Sequence, residues 1–445
     1  MKYSNYNFVF RNGTSAVIYN EVSDGTILLQ PELVQVIQET KDNIDSLQSR
    51  HQELYDAMVG KGMIVDGDMD EAEHIVENWR LQDNNPEHYF LTILPTLNCN
   101  LRCWYCYEEH KATANMTEET LGRVCRLIDN LTGNGKLKYL HLSFFGGEPL
   151  LPFKKTVWPL LQYTGKLCQE REVRLLVHFT TNGVLLTPKV IDCLMSLPLA
   201  EKPGVQITLD GNREYHNNSR HTVNKGPTFD IIVNNIHAAL KAGMYVTNRF
   251  NYTQKSVDSI VDVLEAYKDL TPEEREKLQF DFQQVWQEEH LEDVRLKALK
   301  LAKTYSSNDF RVFVEKRYNS QRCGSDADNQ VAVNYDGRLY SCTARDTNDE
   351  ECEGYLSEDG TLVWNGRHKK RMAIKYGNTT CRKCRIFPIC HGGCSQLKLE
   401  AGDEDRCIRG YDKNRQLEIV QGRLDFILRN SRPITNSPKQ EMPME

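Results

Sequence analysis

The sequence predicts an α/β protein: a run of parallel strands and helices forming a partial barrel, preceded by a small α+β module and followed by a cysteine-rich region. Three observations carry this reading. Strand-like segments alternate with helical stretches between residues 90 and 285, the composition turns Gly-, Cys- and turn-rich after about residue 315, and the chain holds 14 cysteines. The strand-like segments are Phe90 to Leu94, Leu140 to Phe145, Arg174 to Phe179, Val205 to Leu209, Tyr245 to Tyr252 and Leu278 to Val285. Such alternation implies βαβ units, and six strands make a partial (β/α)6 barrel. Ligands of these folds sit beyond the carboxyl ends of the strands, where the segments holding Cys99, Gly146, Asn182 and Asp210 fall.

The remaining elements follow from local pattern. Tyr6 to Arg11 and Ala16 to Asn20 read as strands, and Pro31 through Leu54 has helical periodicity. A polar, acidic stretch from Asp66 to Glu87 then separates this module, residues 1–85, from the barrel, residues 86–315. Residues 316–430 form the third segment, closed by a helix from Tyr411 to Leu428. The tail, residues 431–445, has three prolines and little apolar content, which predicts fraying.

Composition bounds the function. The chain has 445 residues, 40% apolar and 26% charged, as in ordinary globular proteins of more than one folded unit. No stretch approaches the roughly 20 apolar residues that span a bilayer, and the N-terminus lacks the pattern of a secretory signal, so a cytoplasmic location without membrane association is expected. A net charge of -7 argues against a nucleic-acid partner. In a reducing compartment, clustered cysteines ligate metal or do redox chemistry more often than they form disulfides.

Cys99, Cys103 and Cys106 stand in PTLNCNLRCWYCYEEH, directly after the first barrel strand. Three thiolates on a four-iron cluster leave one iron without a protein ligand, open to a small molecule. This spacing, with Tyr105 before the third cysteine, resembles the signature of the radical S-adenosylmethionine (SAM) superfamily. Downstream, Gly146, Gly147 and Glu148 resemble the superfamily's GGEP motif, which binds the amino group of SAM. Thr181 and Asn182, in Thr181-Asn182-Gly183, and Asp210, in Thr208-Leu209-Asp210-Gly211, resemble the segments that contact its ribose and methionine portions. Each can also be read as an ordinary Asn-Gly or Asp-Gly turn. Arg249 is a bidentate donor suited to the SAM carboxylate, or an outward-facing side chain. The resemblance implies a SAM-binding 4Fe-4S cluster at the three cysteines.

The second array is Cys323, Gly337-x4-Cys342, Cys381-x2-Cys384-x5-Cys390-x3-Cys394 and Cys407. It resembles the SPASM domain, an extension of radical SAM enzymes that carries two auxiliary 4Fe-4S clusters. The resemblance implies that Cys381, Cys384, Cys390 and Cys407 close one cluster, while Cys323, Cys342 and Cys394 hold the other. The sulfatase-maturing branch has a further cysteine where this chain has Asn329, so the second of these clusters keeps an open iron unless Cys352 reaches it. That branch also places an Asp base where this chain has Thr343, which argues against formylglycine formation. Cys125, Cys168 and Cys193 are expected to be buried thiols. The rival reading is a binding protein stapled by zinc, since Cys381-x2-Cys384 and Cys390-x3-Cys394 fit tetrahedral thiolate zinc.

Radical SAM proteins with SPASM domains mostly modify ribosomally made peptides. The N-terminal module, with Tyr19-Asn20 and the segment from Gly60 to Val65, resembles the winged-helix-like element by which such maturases bind a precursor's leader, which could add a strand to a sheet edge. What the resemblance implies is hydrogen abstraction from a core-peptide carbon and closure to a thioether or carbon-carbon crosslink. An electron donor such as flavodoxin or ferredoxin would serve it, and Gln283 and Gln284 would stand near the substrate. A SPASM-type dehydrogenase or epimerase, or a sulfatase-maturating-like enzyme, are the alternatives.

Overall fold

The computed structural model describes residues 1–289, 291–314, 322–402 and 405–430; the expected tail, residues 431–445, lies outside them. The chain divides into two compact units. One contains residues 1–82, Arg322 and residues 373–430; the other contains 83–314 and 323–372. Among the described residues no helix is long and apolar enough to cross a membrane.

In the first unit β1 (Lys2–Tyr3) precedes a meander of β2 (Asn7–Asn12), β3 (Ser15–Asn20) and β4 (Thr26–Leu29), and β5 (Ile64–Val65) pairs back onto β1. Helices Pro31–Thr40, Asp45–Arg50 and Gln52–Gly60 lie between β4 and β5. The expected continuous helical stretch is broken at His51, whose ring accepts from Leu54 N and caps a new helix. The two-residue period of β3 decides what the sheet covers. Ala16 and Ile18 pack with Val34, Ile37, Leu47 and Leu54 of the helices, whereas Val17 and Tyr19 on the opposite face pack with Ile386, Ile389, Ile419, Val420 and Leu424. The N-terminal sheet is thus sandwiched between its own helices and the C-terminal region.

The acidic stretch expected as a separator contains helix Glu71–Asp83. Ala72, Ile75, Val76 and Trp79 recur at helical spacing and pack on Tyr6, Cys381 and Phe387, so an apolar stripe beneath the acidic face sets the structure.

The second unit is built on one sheet. The six expected strands appear as β6 (His88–Leu94), β7 (Tyr139–Phe144), β8 (Arg174–Thr181), β9 (Gly204–Leu209), β10 (Tyr245–Tyr252) and β11 (Leu278–Gln284), each parallel to the next. Two more parallel strands extend it, β12 (Arg311–Val314) beside β11 and β13 (Gln330–Asn334) beside β6, and β14 (Arg338–Tyr340), β15 (Gly354–Leu356) and β16 (Leu362–Trp364) continue antiparallel. The partial barrel therefore has more strands than the periodicity indicated, because β12 and β13 are short. Burial alternates along its strands: Leu140, Leu142, Phe144, Leu175, Val177 and Phe179 enter the core with Val124, Leu127, Leu160 and Leu161 of the covering helices. The other face carries His141, Ser143, Thr180, Gln206, Arg249 and Asn251, all half-buried. A polar, incompletely packed inner face leaves room for a ligand where a closed barrel would be filled with aliphatic side chains.

Candidate active site

The loop after β6 turns back on itself through Leu101, bridged to Thr222, and through a Cys106 N–H donated to the Cys103 carbonyl at 3.2 Å. Arg102 donates to the Cys99 carbonyl at 2.7 Å, and Leu101 N donates to the Cys99 thiol at 3.4 Å. Cys99, Cys103 and Cys106 all line one cavity of about 220 Å³. Burial pushes the Cys99 thiol up to about 12 and the Cys106 thiol up to about 11. Bare, these groups stay protonated at neutral pH; bound iron would displace the protons. Three thiols lining one cavity fit a cluster with one open iron.

Gly146 and Gly147 border the same cavity, but their lack of a side chain serves a second purpose. A Cβ on Gly146, at φ +104°, would stand 2.6 Å from the Thr96 carbonyl, and one on Gly147 would stand 2.4 Å from the Asn98 carbonyl. The paired glycines let the turn after β7 lie against the backbone that enters the cysteine loop. Glu148 is fully buried and is not a lining residue. Its carboxylate accepts from Thr181 Oγ1 at 2.7 Å, Leu150 N at 3.0 Å and Asn182 N at 2.8 Å. Burial still pushes its carboxyl above the ordinary range. Thr181 and Asn182 do line the cavity, and Asn182 Nδ2 donates to Asn100 Oδ1 at 2.7 Å, tying the end of β8 to the cysteine loop.

Tyr105 is the centre of a polar network. Its hydroxyl donates to Asp210 Oδ2 at 2.6 Å and accepts from Arg220 Nη1 at 2.7 Å and Asn251 Nδ2 at 3.3 Å. Asp210 stands behind the cavity, with burial pushing its carboxyl up to about 6 against the attraction of Arg220. Arg249 lines the cavity and is steered by Nε donating to Asn251 Oδ1 at 2.9 Å. Of the two glutamines expected near substrate, Gln284 lines the cavity while Gln283 donates to Asp281 at 2.7 Å.

Arg220 and Glu108 are among the lining residues that had not been singled out from the sequence. Arg220 is 7% exposed and places a guanidinium among Cys103, Tyr105 and Asp210. The signal for it was His216-x3-Arg220, one helical turn after Asp210-Gly211: His216 is fully buried and accepts from Asp210 N at 3.3 Å, while Arg220 N donates to the His216 carbonyl. Glu108 is the other, with Oε1 buried and without a partner among the described residues.

The remaining cysteines fall in both units. Cys381, Cys384, Cys390 and Cys407 line one cavity of about 540 Å³ in the first unit. These four thiols around a single cavity fit a fully ligated cluster. Cys394 stands in the same unit, before helix Ser395–Ala401, outside that lining. Cys323 and Cys342 belong to the second unit, as does Cys352, whose thiol donates to the Gly354 carbonyl at 3.2 Å. The Tyr107 hydroxyl donates to the Thr343 carbonyl at 2.6 Å, which ties the Cys106 loop to the Cys342 turn. Among the described residues no three His, Cys, Asp or Glu side chains converge as ligands of a single ion.

The chain is similar to known proteins over part or most of its length. The chain is 34% identical over 108 residues to "Molybdenum cofactor biosynthesis protein 1" of Dictyostelium discoideum, covering 24% of this chain and 16% of that protein. It is 30% identical over 176 residues to "Fe-coproporphyrin III synthase" of Methanosarcina barkeri, covering 39% and 40%; well under half of either relative is spanned. Among solved structures, native anSMEcpe with bound AdoMet is similar in fold, with TM-score 0.59 and 19% identity over 77% of this chain and 99% of that one. Streptococcus suis SuiB bound to precursor peptide SuiA gives TM-score 0.51 and 13% identity over 92% of this chain and 100% of that one. Residues 93–270, which span the three cysteines and the ends of β6 to β10, match the Radical SAM superfamily. That family implies a 4Fe-4S cluster and SAM as cofactors, and the three thiols that share one cavity at the end of β6 lie within the matched residues.

Proposed function

We propose that this enzyme is a peptide maturase that installs a thioether or carbon-carbon crosslink in a ribosomally made precursor. The observation that supports it most is the reach of the fold likeness. The likeness to SuiB with its precursor peptide extends over 92% of this chain, far beyond the 93–270 domain that small-molecule radical SAM enzymes also have. The three-stranded sheet adds to this, because among the described residues β2 and β4 each pair on one side only and offer backbone groups to an added strand of a leader peptide.

When bound, a 4Fe-4S cluster and SAM supply a 5′-deoxyadenosyl radical able to take hydrogen from an unactivated carbon. The chain's own residues do the rest. Cys99, Cys103 and Cys106 hold the iron, and Glu148 fixes the Thr181-Asn182 edge on which SAM would lie. Arg220 and Arg249 offer guanidinium groups to its carboxylate, and Tyr105 and Asp210 keep Arg220 in place. Gln284 and Trp286 stand on the same cavity where a peptide would enter. In this reading residues 1–85 recruit the leader, residues 86–315 do the radical chemistry, and residues 316–430 form a SPASM domain with two auxiliary clusters that carry electrons, with a flavodoxin or ferredoxin as the electron donor of the enzyme.

Coexpression with a short reading frame encoded beside the gene, followed by mass spectrometry, tests the reading. A crosslink removes two hydrogens per event, and a thioether also removes one alkylatable thiol. A loss of two hydrogens with every thiol retained and no inter-residue fragment linkage would indicate dehydrogenation, and unchanged mass with an inverted residue would indicate epimerisation; either contradicts the crosslink.

A further inference from the structure

The cavity surrounded by Cys381, Cys384, Cys390 and Cys407 has a buried cation beside it. Lys398, on helix Ser395–Ala401, is 2% exposed, and its Nζ donates to the Cys381 thiol at 3.4 Å. Among the described residues it makes no ion pair with a carboxylate. Asp405, whose carboxyl lies in the reach of its charge, is exposed and accepts from Thr379 Oγ1 and Thr380 N. An ammonium taken out of water is costly without an anion, so a buried lysine that donates to a thiol at this cavity is suited to a negatively charged group held by these cysteines.

A four-iron cluster ligated by four thiolates carries net negative charge, and one-electron reduction adds one more. Its potential responds to nearby charge and to hydrogen bonds on the sulfurs. We infer that Lys398 is a positioning residue for an auxiliary cluster at these four cysteines, its ammonium stabilising the reduced state and so raising the cluster's reduction potential. This rests on reading the four cysteines as cluster ligands.

The test is potentiometric titration followed by electron paramagnetic resonance, on the full chain reconstituted anaerobically with Cys99, Cys103 and Cys106 replaced by Ala. The signal of this site is the one that Cys390→Ala removes. Lys398→Met is expected to shift its reduction equilibrium at least tenfold toward the oxidised form, a fall of about 59 mV for one electron, and Lys398→Arg to restore most of it. An unchanged midpoint in Lys398→Met with iron retained overturns the inference. If the Met variant loses its iron, recovery of iron and midpoint in Lys398→Arg supports the charge, and loss in both overturns it. A parent protein whose iron and signal are indifferent to Cys390→Ala removes the cluster reading itself, and the inference with it.

Discussion

Among single residues, Arg220 links the parts of the site that the rest of the chain brings in separately. It touches the hydroxyl of Tyr105, from the cysteine loop, and offsets the charge of Asp210, from the end of β9. Removing a buried charge leaves its partner uncompensated, at a cost of about 3–5 kcal/mol. Arg220→Met is therefore expected to lower the unfolding free energy from chemical denaturation by an amount in this range and to weaken SAM binding measured by equilibrium dialysis. A variant as stable and as tight as the parent would remove Arg220 from the site. The cysteine loop and the paired glycines were legible in sequence because their placement is local: Cys99, Cys103, Cys106, Gly146 and Gly147 border one cavity. Arg220 was not, because its importance comes from contacts with residues 10 and 115 positions away. In this structure Glu148 accepts hydrogen bonds from Thr181, Asn182 and Leu150, a partnership that one sequence does not display.

At the scale of elements, the Cys342 turn is held by a buried ion pair. Glu353, just before β15, accepts from Arg371 Nη2 at 2.7 Å, from Ser341 Oγ at 2.7 Å and from His368 Nδ1 at 3.1 Å, and Arg371 is fully buried. Burial alone would raise the Glu353 carboxyl, but the hydrogen bonds of His368 and Arg371 and the Arg371 charge hold it at about 2. A carboxyl depressed in the folded state contributes its stability above its unfolded value, about 4.3, and loses it as the pH falls toward 2; the gap corresponds to about 3 kcal/mol. Glu353→Gln should thus lower the thermal midpoint at pH 7 and flatten its dependence on pH between about 4.3 and 2. A variant that retains the parent's acid sensitivity in that window would exclude this pair as its source. Element assignment from sequence followed the strength of the pattern. The six central strands were legible because each carries core-facing apolar residues and stands between helices, whereas β12 and β13 are short, and helix Glu71–Asp83 was masked by its acidic face.

For the whole molecule, the N-terminal sheet and the C-terminal cysteines share one core, so the module expected to bind a leader and the region that carries four cysteines on one cavity fold together. That coupling was not legible, since nothing in the sequence shows that Val17 and Tyr19 face Ile389 and Val420. The central claim concerns the other unit: Cys99, Cys103 and Cys106 hold the iron that opens SAM. The most direct measurement is 5′-deoxyadenosine formation by the anaerobically reconstituted enzyme with SAM and dithionite, in the parent and in Cys103→Ala. The account predicts 5′-deoxyadenosine from the parent and none above background from Cys103→Ala, with the C-terminal iron retained in the variant. Equal 5′-deoxyadenosine from both proteins would contradict it.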